Sequence, residues 1–373
     1  MKKVSALVIM FLAVFFIAAC EVDSRNIESI DFDFDFEEAY AANETIDLEG
    51  EYLDVTYDDE STGSLTIGTS AADDIVFEGD MDGTQLDTST PGYKSASLTL
   101  EGNTITFDFY VADAVVHSDE SIQDAIDGLE DGGTIYVYPG TYEESLEIMT
   151  DNITLRGANY GVSAGVDEGE RREESIIDAQ DETNAIQIGA FDDEGPHPDE
   201  ITIDGFTVRN FTERGIAQRN GNGQLFIRNN VVEGPEAGDA VRSAISLSGG
   251  DRSRVTGNYV TLPEFGQEDW ASAGILLMGT SHAVVEDNVV ESDDYGIVVA
   301  GYPEWESIDP NWVWASSNVI RDNVVYGNIE LQGEVTGSLV RDNVADAIEV
   351  REMMGGEPFE TIIMDNELAN EED

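Results

Sequence analysis

Ile227-Arg-Asn-Asn230-Val, Val255-Thr-Gly-Asn258-Tyr, Val285-Glu-Asp-Asn288-Val, Ile320-Arg-Asp-Asn323-Val, Val340-Arg-Asp-Asn343-Val and Ile363-Met-Asp-Asn366-Glu are six copies of one phrase. A degenerate copy, Ile203-Asp-Gly-Phe206-Thr, precedes them. The asparagines fall 28, 30, 35, 20 and 23 residues apart. A second phrase keeps step: Asn-Ala-Ile186-Gln-Ile188, Gly-Ile216-Ala, Ala-Ile245-Ser-Leu247, Gly-Ile275-Leu-Leu277, Gly-Ile297-Val-Val299, Asn-Ile329-Glu-Leu331 and Ala-Ile348-Glu-Val350. Two short runs per period, each alternating with period two, describe one unit of two strands repeated. Each strand then stacks on its counterpart in the next unit and buries a continuous aliphatic column. The pattern predicts an all-β chain built as a parallel β-helix. Stacked asparagine side chains can hydrogen-bond along the stack, and asparagine tolerates the left-handed corner a coil needs. Constant phrases with variable spacing place the insertions in the turns.

The chain has 373 residues, 79 Asp and Glu against 17 Lys and Arg, and a net charge of −62. Such a field repels nucleic acid and anionic membrane surfaces. Abundant salt would screen the self-repulsion, so the composition reads as adaptation to a saline habitat, with Ca²⁺ loading as the rival explanation. The aliphatic ladder excludes the disorder that high charge usually signals.

The chain opens with Lys2-Lys3, an apolar run from Ala6 to Ala19, and then Cys20, the sole cysteine. The run is too short to span a bilayer. Phe16-Ile-Ala-Ala-Cys20 resembles a bacterial lipoprotein lipobox, which implies cleavage before Cys20 and its lipidation. Residues 21–44 read as an acidic tether with room for one strand. Residues 45–113 read as a small β-rich domain, with strands expected over Ile46–Tyr57, Gly63–Thr69, Asp74–Glu78, Ser95–Glu101 and Thr104–Val111, the last two joined by Gly102-Asn103. The β-helix occupies 114–370.

Ile122, Ala125, Ile126 and Leu129 mark one amphipathic helix over Ser118–Leu129, with Ser118, Asp119 or Ser121 as its cap and Gly132-Gly133 ending it. It would cover the open end of the first coil. Ser121-Ile-Gln-Asp-Ala-Ile126, Gly133-Thr-Ile-Tyr-Val-Tyr-Pro-Gly140-Thr-Tyr-Glu143 and Asn152-Ile-Thr-Leu-Arg-Gly157 closely resemble the opening of the pectin-lyase-like superfamily, which includes the pectate lyases and the NosD-type proteins. The resemblance covers about Asp119 to Asn366. It implies a right-handed parallel β-helix, and a substrate cleft along one outer strand face. Fold alone does not fix activity.

The superfamily's methylesterase motifs do not occur. Of the polygalacturonase motifs only the Asp-Asp pair finds a match, Asp293-Asp294, in an expected turn. No lysine is available as a base in the β-helix. An arginine-type lyase is the catalytic option left, alongside no catalysis. Arg209, Arg214, Arg219, Arg228, Arg242, Arg252 and Arg254 cluster in sequence, and Arg214, Arg219 and Arg242 are the catalytic candidates. They could hold uronate carboxylates bidentately, or each could pair with a nearby acid. Asp287, Asp322, Asp342 and Asp365 each precede a ladder asparagine. They form either a Ca²⁺ row or a solvated acidic one.

An insertion from Gly301 to Asn318 carries Tyr302, Trp305, Trp312 and Trp314, and Trp270 lies in a neighbouring insertion. Alternation points Leu276, Met278, Val298 and Ala300 outward beside them. The aromatics either cover that strip as extra core or form a platform for sugar rings. His282 falls in a turn as a structural residue. The expected function is binding, with the option of cleaving, a polysaccharide at the cell envelope by a monomer that meets the membrane only through its lipid. It requires no cofactor, with Ca²⁺ as an option. The alternative is a non-catalytic surface scaffold.

Overall fold

The computed structural model describes residues 25–33, 36–69, 74–167, 169–190, 195–221, 223–235, 242–262, 273–301, 315–353 and 356–369. Cys20, Trp270, Tyr302, Trp305, Trp312 and Trp314 lie outside them. Two compact units are present. One takes residues 1–36, 45–87 and 95–108, and the other 37–44, 88–94 and 109–373.

The larger unit is a right-handed parallel β-helix. One sheet has ten strands, from Ala114–Val116 through Ile201–Asp204 and Val284–Glu286 to Ile362–Met364. The other has twelve, from Gly140–Tyr142 to Glu367–Leu368. Neighbouring strands in both are parallel, as stacked coils require. Inside, each phrase makes its column. Ile203, Ile227, Val255, Val285, Ile320 and Val340 stand in register and have no exposure. So do Ile186, Ile216, Ile245, Ile275, Ile297 and Ile329.

The asparagine ladder forms as its spacing predicts. Asn288 Nδ2 donates to Asn323 Oδ1 at 2.9 Å, and Asn323 Nδ2 to Asn343 Oδ1 at 2.9 Å. Each Oδ1 also accepts the backbone N–H of the asparagine one coil earlier. The left-handed corner, however, belongs to the residue before each asparagine. Asn229, Asp287, Asp322, Asp342 and Asp365 have φ between 54° and 57°, and Gly257 has 66°. The ladder asparagine needs an ordinary backbone to aim its amide along the stack. The preceding residue absorbs the turn, and Asn, Asp and Gly tolerate it best.

The capping helix is shorter than expected, Ile122–Asp127. Ser121 is its cap and accepts the Asp124 N–H at 3.1 Å. The Glu144 carboxylate takes the Ile122 and Gln123 N–H groups. Gly128 already ends the helix, ahead of Gly132-Gly133, because Ile122 and Ile126 alone reach the first coil's core with full burial.

In the smaller unit, Tyr52–Tyr57 pairs antiparallel with Ile27–Phe32 on one side and Thr62–Thr66 on the other. The first strand therefore starts later than the expected Ile46. Val76–Gly79 pairs with the second half of Gly92–Leu100. The turn from that strand into Asn103–Ala112 is Glu101-Gly102, both at positive φ, one residue earlier than read from the sequence.

Candidate functional site

Inward aliphatics force their neighbours outward. In the twelve-stranded sheet, Gln187, Ala217, Ser246, Leu276, Val298, Glu330 and Glu349 form one outward column in register. Asn184, Arg214, Ser243, Ala273, Tyr295, Asn328 and Ala347 form the column before it. Ser248, Met278, Ala300, Gln332 and Arg351 form the column after. This face is polar and cationic at its first coils, apolar in the middle, and polar again at its last coils.

The cationic end gathers the three candidate arginines. Arg214 Nη1 lies 3.1 Å from Glu213 Oε2, and Arg242 Nε lies 3.3 Å from the same oxygen. Burial holds the Arg214 pKa below its ordinary value. Glu213 opposes that, while Arg242 and Arg219 lower it further. Arg219 is exposed. Beside Arg214 on its column, Asn184 Oδ1 and Ser243 Oγ are buried without a hydrogen-bond partner among the described residues.

The other arginines of the sequence cluster are elsewhere. Arg209 pairs with Asp178 at 3.1 Å, Arg252 with Asp251 at 3.0 Å and Arg254 with Glu286 at 3.5 Å. Arg228 packs over Phe226 on the ten-stranded sheet.

In the middle, the predicted phase holds. Ile275, Leu277, Ile297 and Val299 belong to the core, while Ala273, Val298 and Ala300 form a separate apolar cluster with Leu276, Met278, Tyr295 and Met353. Val298 and Ala300 have no exposure.

The last coils carry a polar group that the sequence reading did not single out. Glu330 is fully buried, its Oε2 accepts from Gln332 Nε2 at 2.5 Å, and its Oε1 lies 3.1 Å from Arg351 Nη2. Arg351 also reaches Glu349 at 3.1 Å and Tyr295 Oη at 3.1 Å. Burial raises the Glu330 pKa above its ordinary value, against the pull of Gln332 and Arg351. The signal was present in Ile329-Glu-Leu331 and Ile348-Glu-Val350. Alternation there stands two glutamates outward, one coil apart.

The aspartate row sits at the left-handed corners. Arg321 Nη1 lies 2.6 Å from Asp322, and Arg341 pairs with Asp342. Arginine thus provides the compensating charge at these two positions. The Asp287 carboxyl is raised by burial and by Glu286 and Asp322, with Arg321 opposing. Among the described residues no group of three His, Cys, Asp or Glu is placed to hold a metal ion. Asp293-Asp294 lies within the strand Val289–Gly301, where the register shifts, rather than in a turn. His282 takes the other row of left-handed corners, φ 53°, with Nδ1 2.6 Å from Asp251.

A family model described as "Right handed beta helix region" matches residues 193–352. No curated protein matches the chain.

Proposed function

From the premise of a right-handed β-helix repeat protein, we propose a cell-envelope lipoprotein that binds a uronate-containing polysaccharide along the outer face of the twelve-stranded sheet. The observation that carries this is the Arg214, Arg219 and Arg242 group. Arg214 and Arg242 share the Glu213 carboxylate, and Arg219 adds its positive field to Arg214, in a chain of net charge −62. The exposed Arg219 and Arg242 offer planar guanidiniums that suit a sugar carboxylate geometrically.

The same end suits an arginine-type lyase. Arg214, its pKa lowered by burial, is the base that would take the proton next to the bound carboxylate. Trp270, Tyr302, Trp305, Trp312 and Trp314 join the proposal as stacking residues, because their segments adjoin the strands Ala273–Met278 and Val289–Gly301 in the chain. A lipid on Cys20 would hold the protein to the membrane and saline surroundings would screen its charge. A scaffold role is favoured by a different observation, the complete burial of Val298, Ala300 and Glu330 on this face.

The test is incubation of the chain from Glu21 onward with polygalacturonate and neutral glucans, in high salt, with and without Ca²⁺. Binding of the uronan in preference to the neutral glucans, weakened in Arg242→Ala, is expected. New reducing ends with rising ultraviolet absorbance identify a lyase, and reducing ends alone a hydrolase. Equal retention of neutral glucans, or none of either, defeats the uronate reading. Cys20→Ala should release the protein from membranes and abolish labelling by a radioactive fatty acid. Unchanged membrane retention would remove the lipid anchor.

A further inference from the structure

The ten-stranded sheet also has an outward column: Tyr136, Arg156, Asp204, Arg228, Thr256, Glu286. Its first strands are unlike its last. Further along, Glu286 holds Arg321 and Arg254. Near the start, neither Arg156 nor Arg228 has a carboxylate within 4.0 Å among the described residues. In a chain with 79 acids, that is the exception needing a cause. The Nε atoms of both arginines are also buried without a hydrogen-bond partner among the described residues. A buried unmatched donor costs about 1–3 kcal/mol, so such donors are normally satisfied by something.

Asp204 sits between the two arginines on the column, and its charge acts on both, but its hydrogen bonds go to other donors. It accepts from Asn229 Nδ2 at 2.8 Å and from the Gly161 N–H at 3.0 Å.

Tyrosines surround Arg156. Its guanidinium lies 4.0 Å from the ring centres of both Tyr110 and Tyr160 and 4.9 Å from that of Tyr93. Arg156 Nη2 donates to Tyr93 Oη at 2.5 Å. Tyr93 is nonetheless 72% exposed, the most exposed large apolar side chain among the described residues. Its ring meets Tyr110 edge-on at 5.0 Å, so its broad outer surface remains for a ligand. An exposed aromatic ring beside guanidiniums that no carboxylate contacts directly suits a ligand with an apolar ring face and an anionic substituent. Thr154 and Thr202, on the adjacent outward column, add hydroxyls.

We propose that Tyr93, Arg156 and Arg228 form a second sugar-binding site on the ten-stranded sheet, for a carboxylated or sulfated sugar ring. Tyr93 stacks on the ring, and the two arginines take the anionic group of that ring or its neighbour. They stand two strand steps apart, roughly 10 Å, so each takes a separate anionic group along one acidic glycan. The site lies on a different sheet from the Arg214 group and does not depend on it. The overall field opposes anionic ligands, so the site requires enough salt to confine that field to within about 8 Å, as near 0.15 M.

The experiment is titration calorimetry on the chain from Glu21 onward at 0.15 M salt. The probes are tetragalacturonate, a sulfated galactan tetrasaccharide and neutral cellotetraose. The proteins are the parent, Arg242→Ala, and Tyr93→Ala and Arg228→Gln each placed in the Arg242→Ala background. Arg242→Ala should keep binding at least one anionic probe. Tyr93→Ala and Arg228→Gln should each weaken that remaining binding by on the order of tenfold, equivalent to about 1.4 kcal/mol, with unchanged melting temperature. The galacturonate and galactan arms identify the anionic group. Loss of all binding in Arg242→Ala would overturn this second site while leaving the first intact. Binding that survives in Arg242→Ala, and is blind to Tyr93→Ala and Arg228→Gln or equal for cellotetraose, would overturn it as well.

Discussion

Asn288 shows what one side chain does in this molecule. Its Oδ1 accepts the Asn258 N–H and Nδ2, while its Nδ2 donates to Val255 O, Glu286 O and Asn323 Oδ1. Removing the amide leaves several buried groups unmatched, at about 1–3 kcal/mol each. Asn288→Ala should therefore lower stability by roughly 3–5 kcal/mol in urea melts. Asn366→Ala, at a partly exposed rung, should cost less than half as much. Equal costs would mean that burial does not set the ladder's value. Gln218 is the opposite case. It stands in the inward column between Ile188 and Leu247, with both amide atoms buried and unmatched among the described residues. Gln218→Leu should raise stability by about 1–2 kcal/mol, and a drop in melting temperature would refute this.

Glu330 adds a pH effect. Its folded pKa is raised above the ordinary 4.5. The burial penalty is therefore present in full above the folded value and disappears as pH falls through it. Glu330→Gln should melt higher than the parent at pH 7–8. The gap should close as the pH falls through the raised value towards 4.5. A gap that widened on acidification would show that the Arg351 pairing outweighs burial.

At the scale of elements, the left-handed corner is the part that each coil needs and few residues tolerate. Asp322, at φ 57°, is followed directly by the ladder asparagine Asn323. Asp322→Gly should be nearly neutral. Asp322→Val should cost about 1–2 kcal/mol, because a β-branched residue meets its own carbonyl there. Matching losses from both substitutions would point to the Arg321 ion pair instead. The segment between Gly157 and Glu174 runs along these corners. The Ala164 N–H donates to Gly257 O at 2.9 Å and the Val166 N–H to Asp287 O at 3.0 Å. A Cβ at Gly165 would fall 1.9 Å from Asp287 O, so Gly165→Ala should loosen this segment from at least two coils. Faster amide exchange at Ala164 and Val166 checks it.

At the scale of the whole molecule, charge dominates. A net charge of −62 spread over many coils is self-repelling. Raising salt from 0.1 M to 1 M shortens the screening length from about 10 Å to about 3 Å. The melting temperature should rise steadily over that range. A flat response would place the acids far enough apart that their repulsion is not felt, and would weaken the saline reading.

The residues that repeat determined the fold. Two phrases in step specify two columns, two sheets and the ladder, because a stacked coil has no alternative partner for an inward aliphatic or a corner amide. The small unit was less legible. Its strand ends depend on how far antiparallel pairing runs: Tyr52–Tyr57 pairs continuously with Thr62–Thr66, while Ile46 and Asp47 meet Leu86 and Gln85 only as an isolated bridge. The site was legible only in part. Arg214, Arg219 and Arg242 were chosen from a run of seven arginines, and only stacking could show that Arg214 and Arg242 meet on one carboxylate, Glu213, while Arg209, Arg252 and Arg254 each meet a different one. Glu330 and Glu349 lay inside the quoted phrases but gained meaning once Gln332 and Arg351 stood beside them. Tyr93 and Arg156 are 63 residues apart in the chain. No local pattern connects them, since their contact exists only where the chain of the larger unit returns to the outer face of its own sheet. Sequence by itself determined what repeats, because periodicity is local and cumulative. The tertiary structure decided which charges remain unmatched, because that depends on every neighbour at once.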